Sequence, residues 1–399
     1  MTANGLLGEI ADIGRDARHG GYSRHAYDSA ESTLREWFIE QAGRRGLDVE
    51  TDRNGNIWAW WGHPGSGAVV TGSHLDSVPG GGAFDGPLGV TSALAAVDLL
   101  HTKGFTPAKP LALLVFAEEE GGRFGVPCLG SRLLTGAIDA DRARALRDAA
   151  GITLAEAAAK AGQDPERFGA DPEALARIGC FVELHVEQGR GLIDLDSPVA
   201  TGSSIIAHGR YRFSFAGQGN HAGATRLIDR QDPMLPAAAV IAAARRIAAV
   251  TDDARATVGK LIPTPGGTNV IASTVDLWLD ARVAGNGRTA ALVEDIAGAA
   301  REAAAAEGCT VTVTEESYSD DVVFDDALRT RMDGVLGGVP SLPTGAGHDA
   351  GILAAHVPSG MLYVRNPTGI SHAPEELAEP ADVDFGAQSL AQVLEDLAR

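Results

Sequence analysis

Residues 71–89 read TGSHLDSVPGGGAFDGPLG, a glycine-rich stretch that holds His74, Asp76 and Asp85. His74 and Asp76 lie two positions apart at the end of an apolar run, so in an extended chain their side chains share one side. The glycines that follow allow Asp85 to fold back toward them. Imidazole nitrogens and carboxylate oxygens together suit Zn²⁺, Mn²⁺ or Co²⁺, so the stretch predicts part of a metal site. The alternative is a turn whose aspartates only accept backbone hydrogen bonds.

A second acidic group follows another apolar run, in AEEEGGRFG, where Glu118, Glu119 and Glu120 are adjacent. Three neighbouring carboxylates repel one another unless cations or solvent neutralise them. Because adjacent side chains point in different directions, one can bind a cation while its neighbour acts as a general base. A solvated acidic turn is the alternative.

Two further runs, FVELHVEQG and MLYVRNPTGISH, supply His185, with Glu187 beside it, and His372. Each histidine alone is better explained as an ordinary surface or core residue than as a metal ligand. Together, the candidate donors form the set that two adjacent divalent ions require, with three protein ligands each if one carboxylate bridges. The set is His74, Asp85, Glu120, His185 and His372.

The elements that must position these residues are four short apolar runs, AVVTGSH, LALLVFAEEE, FVELHVEQG and MLYVRNPTGISH. Each has the length of a buried strand, and the helical pattern GVTSALAAVDLLHTKG separates the first two. This alternation predicts an α/β fold with a mainly parallel sheet. Ligands of such sheets gather beyond the carboxyl ends of the strands, so the four ends predict one shared site.

Residues 204–318 change pattern and follow a βαββαβ order. This order predicts a ferredoxin-like α+β domain inserted into the larger one. The catalytic, metal-binding domain would then comprise residues 1–203 and 319–399.

Composition limits the partners. The 33 basic and 53 acidic residues give a net charge of −20, which disfavours nucleic acid and anionic membrane surfaces. The three cysteines are far apart and form neither a disulfide framework nor a thiolate zinc motif. The start lacks the features of a secretory signal, and no apolar run has the length of a membrane span. We therefore expect a cytoplasmic protein with a small-molecule partner.

Six ordered motifs resemble one protein family along nearly the whole chain. They are GSHLDSVPGGGAFDGPLGV, EEEGGRFG, ELHVEQG, GNHAGATRLIDRQDP, GAGHDAG and NPTGISHAPEE. They resemble the carbamoylase and allantoate amidohydrolase branch of the dinuclear metallo-aminoacylase and carboxypeptidase superfamily. The resemblance implies an aminopeptidase-like catalytic domain and hydrolysis of a ureido or amide C–N bond in a small carboxylate.

The resemblance also implies roles for the candidate donors. His74, Asp85 and His185 would hold one ion, and Asp85, Glu120 and His372 would hold the other. Asp76 would orient His74, and Glu119 would be the general base. Proteins of this superfamily carry a cis peptide after the bridging aspartate, which here would be Asp85–Gly86.

The inserted domain is implied to be a lid and the surface of a homodimer. His221 would reach a substrate oxygen, while Asn269 and Arg282 would bind the substrate carboxylate. Gln188, Gly347 and His348 would line the pocket. From the residues alone, Arg282 can also be a charge on a surface strand and Asn269 a turn former.

Two departures from the branch lie in the inserted domain. HAGATRL replaces HAGTTPM, which puts Ala224 and Arg226 after the lid histidine; the guanidinium would favour a more anionic substrate or simply face solvent. TNVIA replaces TNVIP, and we expect Ala272 to loosen the turn after Asn269.

Three functions are compatible with these residues. The first is hydrolysis of allantoate or an N-carbamoyl-L-amino acid, with release of ammonia and carbon dioxide. The second is an aminoacylase or dipeptidase-like activity of the same superfamily, and the third is an inactive metal-binding homologue. Glu119 disfavours the third, because a structural metal site needs no general base.

Overall fold

Fifteen β-strands and thirteen α-helices follow one another along Met1–Arg399, the residues that the computed structural model describes. The strands are β1 (Asp48–Thr51), β2 (Ile57–Trp61), β3 (Ala68–His74), β4 (Leu111–Phe116), β5 (Ile178–Val186), β6 (Val199–Ile205), β7 (His208–Ala216), β8 (Asn220–His221), β9 (Arg255–Thr264), β10 (Val270–Ile271), β11 (Thr274–Arg282), β12 (Thr310–Ser319), β13 (Val322–Val323), β14 (Ser341–Thr344) and β15 (Ser359–Val364). The helices are α1 (Ala3–Glu9), α2 (Ser29–Arg44), α3 (Pro87–Thr102), α4 (Leu129–Thr135), α5 (Ala140–Ala145), α6 (Leu154–Lys160), α7 (Pro172–Leu175), α8 (Gly191–Asp194), α9 (Met234–Ala248), α10 (Arg288–Ala306), α11 (Asp326–Val335), α12 (Asp349–Leu353) and α13 (Pro380–Leu397).

The chain divides into two units, one of Met1–Ser204 with Val323–Arg399 and one of Ile205–Val322. The sequence pattern placed the end of the second unit at residue 318, which is earlier than the structure does. The difference arises because β12 continues to Ser319 and Asp321 is tied to the second unit by hydrogen bonds. Its carboxylate accepts the backbone N–H groups of Ala207 and Gly285.

A nine-stranded sheet forms the centre of the first unit, in the order β1-β2-β4-β3-β5-β15-β6-β13, with β14 paired to β6. The four central strands, β4, β3, β5 and β15, are parallel to one another. The mixed α/β fold with a parallel centre is thus confirmed. The flanking pairs β1–β2, β2–β4 and β15–β6 are antiparallel. The β1–β2 pair needs no crossover helix, since only a short turn containing Asn54 and Gly55 joins the two strands.

Burial of the central strands explains their apolar sequences. β3, β4 and β15 are buried along their whole length. Side chains of these strands join residues of α1, α3 and α13 in one hydrophobic cluster, which includes Val69, Leu94, Leu113, Leu184 and Leu390. Packing in this cluster fixes the position of each strand along its own axis. It therefore also fixes where the carboxyl ends of the strands lie.

The second unit is a four-stranded antiparallel sheet in the order β12-β7-β11-β9, with α9 and α10 packed on one face. Its elements follow the chain as strand, helix, strand, strand, helix, strand, apart from the short strands β8 and β10. Phe213, Phe215, Leu277 and Leu279 point to the helices, as the alternation along β7 and β11 requires. None of the helices combines the length and apolarity needed to cross a membrane.

Candidate active site

The carboxyl ends of the four parallel strands bring the predicted residues together. His74 is the last residue of β3, and His185 is the last but one of β5. The run of three glutamates starts at Glu118, two positions after the end of β4, and His372 lies in the loop that follows β15. Two groups of three donors result, each with ligand atoms close enough to hold one ion. We name His74, Asp85 and His185 the inner triad, and Asp85, Glu120 and His372 the outer triad.

The inner triad is buried, and both of its histidines direct the ring nitrogen Nε2 toward one carboxylate. The Nε2 atoms of His74 and His185 lie 3.4 and 3.2 Å from Oδ1 of Asp85. Neither Nε2 atom has a hydrogen-bond partner, although both are buried. The Nδ1 atoms lie 3.0 and 2.9 Å from the backbone oxygens of Asp76 and Val186, to which they donate. With Nδ1 held by a backbone oxygen, each ring keeps Nε2 directed toward Asp85, where a cation can take the place of a proton, so the residues fit a metal ion.

The outer triad lies nearer to solvent. Nε2 of His372 is 3.3 Å from Oδ2 of Asp85 and 3.3 Å from Oε2 of Glu120. The His372 side chain is 50% exposed, whereas those of Asp85 and His74 are 5% and 0% exposed. The two oxygens of Asp85 therefore face different triads, which is the geometry of a bridging carboxylate.

The electrostatics of the cluster favour cations. Burial, followed by the Asp85 charge, raises the pKa of Glu120 to about 7. Burial raises the pKa of Glu119 well above its ordinary value. The hydrogen bond with Asp85 raises the pKa of His372 to about 9. Burial works against the charge of Asp85, but its three histidine contacts hold the Asp85 pKa well below its usual range. In the metal-free protein, protons thus neutralise the carboxylates, and divalent ions can take the place of these protons.

Asp76 connects the glutamates to His74. Its Oδ1 accepts the backbone N–H of Glu119 and its Oδ2 accepts that of Glu120, both at 3.1 Å. Its own backbone oxygen accepts Nδ1–H of His74. Asp76 therefore contacts His74 through its backbone oxygen and the glutamate turn through its carboxylate.

Glu119 lies beside the inner triad. Its Oε2 is 3.7 Å from Nε2 of His74, and its Oε1 accepts the thiol of Cys128 at 3.3 Å. Glu118 faces away and accepts the backbone N–H groups of Arg123 and Phe124. Glu187 is likewise outside the cluster, since it accepts the backbone N–H groups at the start of α8.

The peptide bond between Asp85 and Gly86 is trans, so the predicted cis bond there is wrong; the one cis bond of the chain is Thr264–Pro265. The chain reverses between β3 and α3 at Gly86 instead. Its φ is 84°, a value that glycine adopts readily and other residues rarely adopt. A Cβ at this position would lie 2.5 Å from the ring of His74. Glycine is needed because the backbone passes directly over the imidazole.

The predicted pocket residues of the first unit have different surroundings. Gln188 donates from Nε2 to Oδ2 of Asp85 at 2.8 Å, which places it at the outer triad. Gly347 is exposed. His348 is buried, and its ring lies 4.5 Å from that of His185, so it is behind the inner triad. Burial lowers the pKa of His348 well below its ordinary value, which keeps the ring neutral.

Three predicted residues belong to the second unit. His221 and Asn269 are adjacent, because β8 pairs with β10 and the Ala222 N–H donates to the Asn269 oxygen. Nδ1 of His221 accepts the backbone N–H groups of Gly223 and Ala224, both at 3.1 Å. The ring proton of neutral His221 is therefore on Nε2.

Arg282 ends β11 and its guanidinium forms a two-point contact with Asp280, at 2.6 and 2.9 Å. Arg226, the departure from the branch, is also paired, since its guanidinium contacts Asp229 at 2.7 and 3.2 Å. Ala272 is a buried member of the hydrophobic cluster of this unit.

Several residues around the cluster were missed by the sequence interpretation. Glu376 accepts the backbone N–H groups of Phe84 and Asp85, and Ser371 donates to Glu376. Glu183 accepts from Ser73 and from the Ala350 N–H; together with His185 and His348 it forms a third group of donors within reach of one ion. These residues lie within or next to the motifs of the metal ligands, but a side chain that supports another by a hydrogen bond has no characteristic spacing in the sequence.

Comparisons with known proteins identify the family of the chain. Residues 70–396 match the model of peptidase family M20/M25/M40. The chain belongs to this family. An N-carbamoyl-L-amino acid amidohydrolase from Geobacillus stearothermophilus is 36% identical over 409 residues, which cover 98% of this chain and 97% of the relative. The allantoate amidohydrolase of Bacillus subtilis is 29% identical, with 98% and 95% covered.

The M20 fold is also seen in solved structures. A hydantoinase/carbamoylase family amidase from Burkholderia vietnamiensis superposes with a TM-score of 0.91 at 28% identity, covering 99% of this chain and 96% of that one. The predicted resemblance is confirmed, and with it the assignment of this M20 member to the hydrolases.

Proposed function

We propose that this M20 hydrolase cleaves a linear ureido or amide C–N bond in a small carboxylate, with allantoate or an N-carbamoyl-L-amino acid as substrate. The observation that carries the proposal is Asp85, whose two oxygens face two donor triads, with Glu119 alongside. The names of full-length relatives at 36% and 29% identity support the substrate class. Ammonia and carbon dioxide would be the products.

Two divalent ions, Zn²⁺, Mn²⁺ or Co²⁺, are the cofactors that we propose. The inner and outer triads would hold one ion each, bridged by Asp85. When bound, such a pair lowers the pKa of a water molecule and polarises a carbonyl group. The donor set of imidazole and carboxylate suits all three metals equally.

Glu119 is the proposed general base. Its Oε2 faces His74, on the side of the triads, while Oε1 is engaged by Cys128. Glu119 would accept the proton of the attacking water and return it to the departing nitrogen, so that the C–N bond breaks with a neutral leaving group. Burial keeps the carboxyl from being solvated, which makes a proton transfer in both directions easier.

The second unit is proposed to be a lid and a homodimer surface. His221 would donate from Nε2 to the developing oxyanion, an interaction of ~3 kcal/mol for one donor. Asn269 and Arg282 would bind the substrate carboxylate, for which Arg282 would exchange its contact with Asp280. In the first unit, Gln188 and Gly347 would contact substrate, and His348 would support the ring of His185.

An ammonia-release panel tests the proposed substrate class. Purified protein with added Mn²⁺, Zn²⁺ or Co²⁺ would be given allantoate, ureidoglycolate, β-ureidopropionate and several N-carbamoyl-L-amino acids. We expect at least one of these ureido compounds to react. Turnover of N-acyl amino acids or dipeptides alone would overturn the ureido assignment in favour of a peptidase or deacylase.

A Glu119→Gln variant tests the proposed mechanism. The amide still accepts the Cys128 thiol but cannot take a proton, so we expect unchanged metal content and a fall in kcat of roughly 100- to 10,000-fold. Glu118→Gln is the matched control, because Glu118 faces the backbone of Arg123 and Phe124. A variant at Glu119 that keeps its kcat would exclude it as the base.

A further inference from the structure

Glu376 is a buried carboxylate, 4% exposed, that lies in the loop between β15 and α13. Its Oε1 accepts the backbone N–H of Phe84 at 3.0 Å and that of Asp85 at 2.9 Å. The contact joins residues 291 positions apart in the chain. It holds the backbone of Asp85 and makes no contact with the two side-chain oxygens that face the triads.

The loop before Asp85 is shaped around this carboxylate. A Cβ at Gly82 would lie 2.2 Å from Oε1 of Glu376 and 2.4 Å from its carboxyl carbon. Only a glycine lets the backbone approach so closely, so the stretch that appeared merely flexible in the sequence is in contact with a fixed partner.

The second oxygen of Glu376 reaches the outer triad. Its Oε2 accepts the hydroxyl of Ser371 at 3.0 Å, and the same hydroxyl oxygen lies 3.3 Å from Oδ2 of Asp85. Ser371 precedes His372, whose φ of 56° is unusual for a residue with a side chain. Glu376 thus connects the backbone of Asp85 to Ser371, the residue that immediately precedes His372.

We propose that Glu376 is a positioning residue for the outer ion, required to hold Asp85 and His372 at their mutual distance. It does not contact the ion itself. The inner triad depends on it less, because His74 and His185 are fixed by their own strands and by the backbone oxygens at their Nδ1 atoms. This inference rests on the proposed ion pair and is independent of the ureido substrate.

Metal binding to full-length variants tests the inference. Metal-free wild-type protein, Glu376→Ala, Glu376→Gln and Glu375→Ala would be dialysed against Mn²⁺ and the bound equivalents measured by mass spectrometry. Electron paramagnetic resonance would distinguish a coupled Mn²⁺ pair from isolated ions. Glu375 is the matched control, since it is the exposed neighbour of Glu376.

We expect wild type and Glu375→Ala to bind two equivalents with a coupled signal. Glu376→Ala should bind one tightly and the second at least roughly 30-fold more weakly, because two buried N–H groups lose their acceptor. Glu376→Gln should recover the second ion, since its amide oxygen can accept both N–H groups. Ser371→Ala, which leaves the Asp85 backbone contacts intact, should weaken the second ion by roughly 3- to 10-fold.

Two equivalents of undiminished affinity in Glu376→Ala would overturn the inference while leaving the proposed function in place. A wild type that binds a single ion would overturn both. If Glu376→Ala does not fold, an unchanged second affinity in Ser371→Ala would count against the positioning role. Failure of every ureido substrate, with the metal pattern as expected, would overturn only the proposed function.

Discussion

Three adjacent glutamates have different contact partners in this site, so a shift of one residue position changes the role of the side chain. Glu118 accepts backbone N–H groups of its own turn, Glu119 lies beside His74, and Glu120 contacts His372. Each carboxylate has a separate partner, but burial raises the pKa of all three, so protons or cations still have to balance their charge. Their roles are therefore not interchangeable, although the residues are identical.

Cys128 provides a prediction for the orientation of Glu119. Its thiol contacts Oε1, so Cys128→Ala should let the carboxylate rotate and lower kcat by roughly 2- to 10-fold with little change in KM. Cys128→Ser, which retains a donor, should keep most of the activity. Steady-state kinetics on both variants provide the test, with Cys180→Ala as the control cysteine; equal losses in the alanine and serine variants would point to packing instead.

The protonation of the outer triad provides a second prediction, on pH. Glu120 with a pKa of about 7 and His372 with one of about 9 hold protons in the metal-free protein below these values. Both pKa values are raised, so protons compete with the ion at low pH and leave as the pH rises. We expect the affinity for the second equivalent to increase from pH 6 to pH 9, with proton release. Calorimetric titrations in buffers of different ionisation enthalpy would measure it, and a pH-independent affinity would contradict it.

Among the elements, the turn between β3 and α3 has the strictest requirement. Gly86 combines a positive φ with a backbone that lies against the ring of His74. It is followed by α3, whose buried face anchors the turn to the hydrophobic cluster. A side chain at this position would therefore require the His74 ring or the turn itself to shift.

Gly86→Ala should abolish binding at the inner triad, because the new Cβ would collide with His74. Gly104→Ala is a control with the same kind of backbone, since its φ is 68° and nothing lies within 4 Å of an added Cβ. The control should lose ~1 kcal/mol of unfolding free energy and keep its metal. Metal content and thermal denaturation of the two variants separate the collision from backbone strain, and normal metal binding by Gly86→Ala would refute the collision.

The parallel centre of the fold was predictable, because continuous apolar runs such as LALLVF and their polar ends are local properties of the chain. The grouping of His74, Glu120, His185 and His372 followed from the rule that parallel strands end at one edge. Glu376 and Cys128 were not predictable in the same way, since their partners are determined only after the loops pack. The trans bond at Asp85 was missed because the resemblance supplied a geometry that no residue type in this chain specifies.

On the scale of the whole molecule, the cluster concentrates negative charge inside a chain whose net charge is already −20. Asp76, Asp85 and Glu119 are all buried in the first unit. Bound cations should therefore stabilise that unit in addition to serving the reaction.

Removal of metal should lower the melting temperature of the first unit. At an ion concentration 100 times Kd, binding contributes about 2.7 kcal/mol per site, which corresponds to a shift on the order of 5 °C or more. Differential scanning calorimetry with and without a chelator measures the shift. His74→Ala protein should show a smaller response, and identical transitions in the wild type with and without chelator would argue against resident ions.

The unequal exposure of the two triads has a consequence for how the protein meets its surroundings. The side chains of His74 and His185 are 0% and 1% exposed and that of His372 is 50% exposed, so we expect an ion at the inner triad to exchange with the medium more slowly than one at the outer triad. The metal at the inner triad would then depend on which ions were available when the chain folded. The metal at the outer triad would instead depend on the ions present in the medium. One protein molecule would then be able to hold two different metals at neighbouring sites.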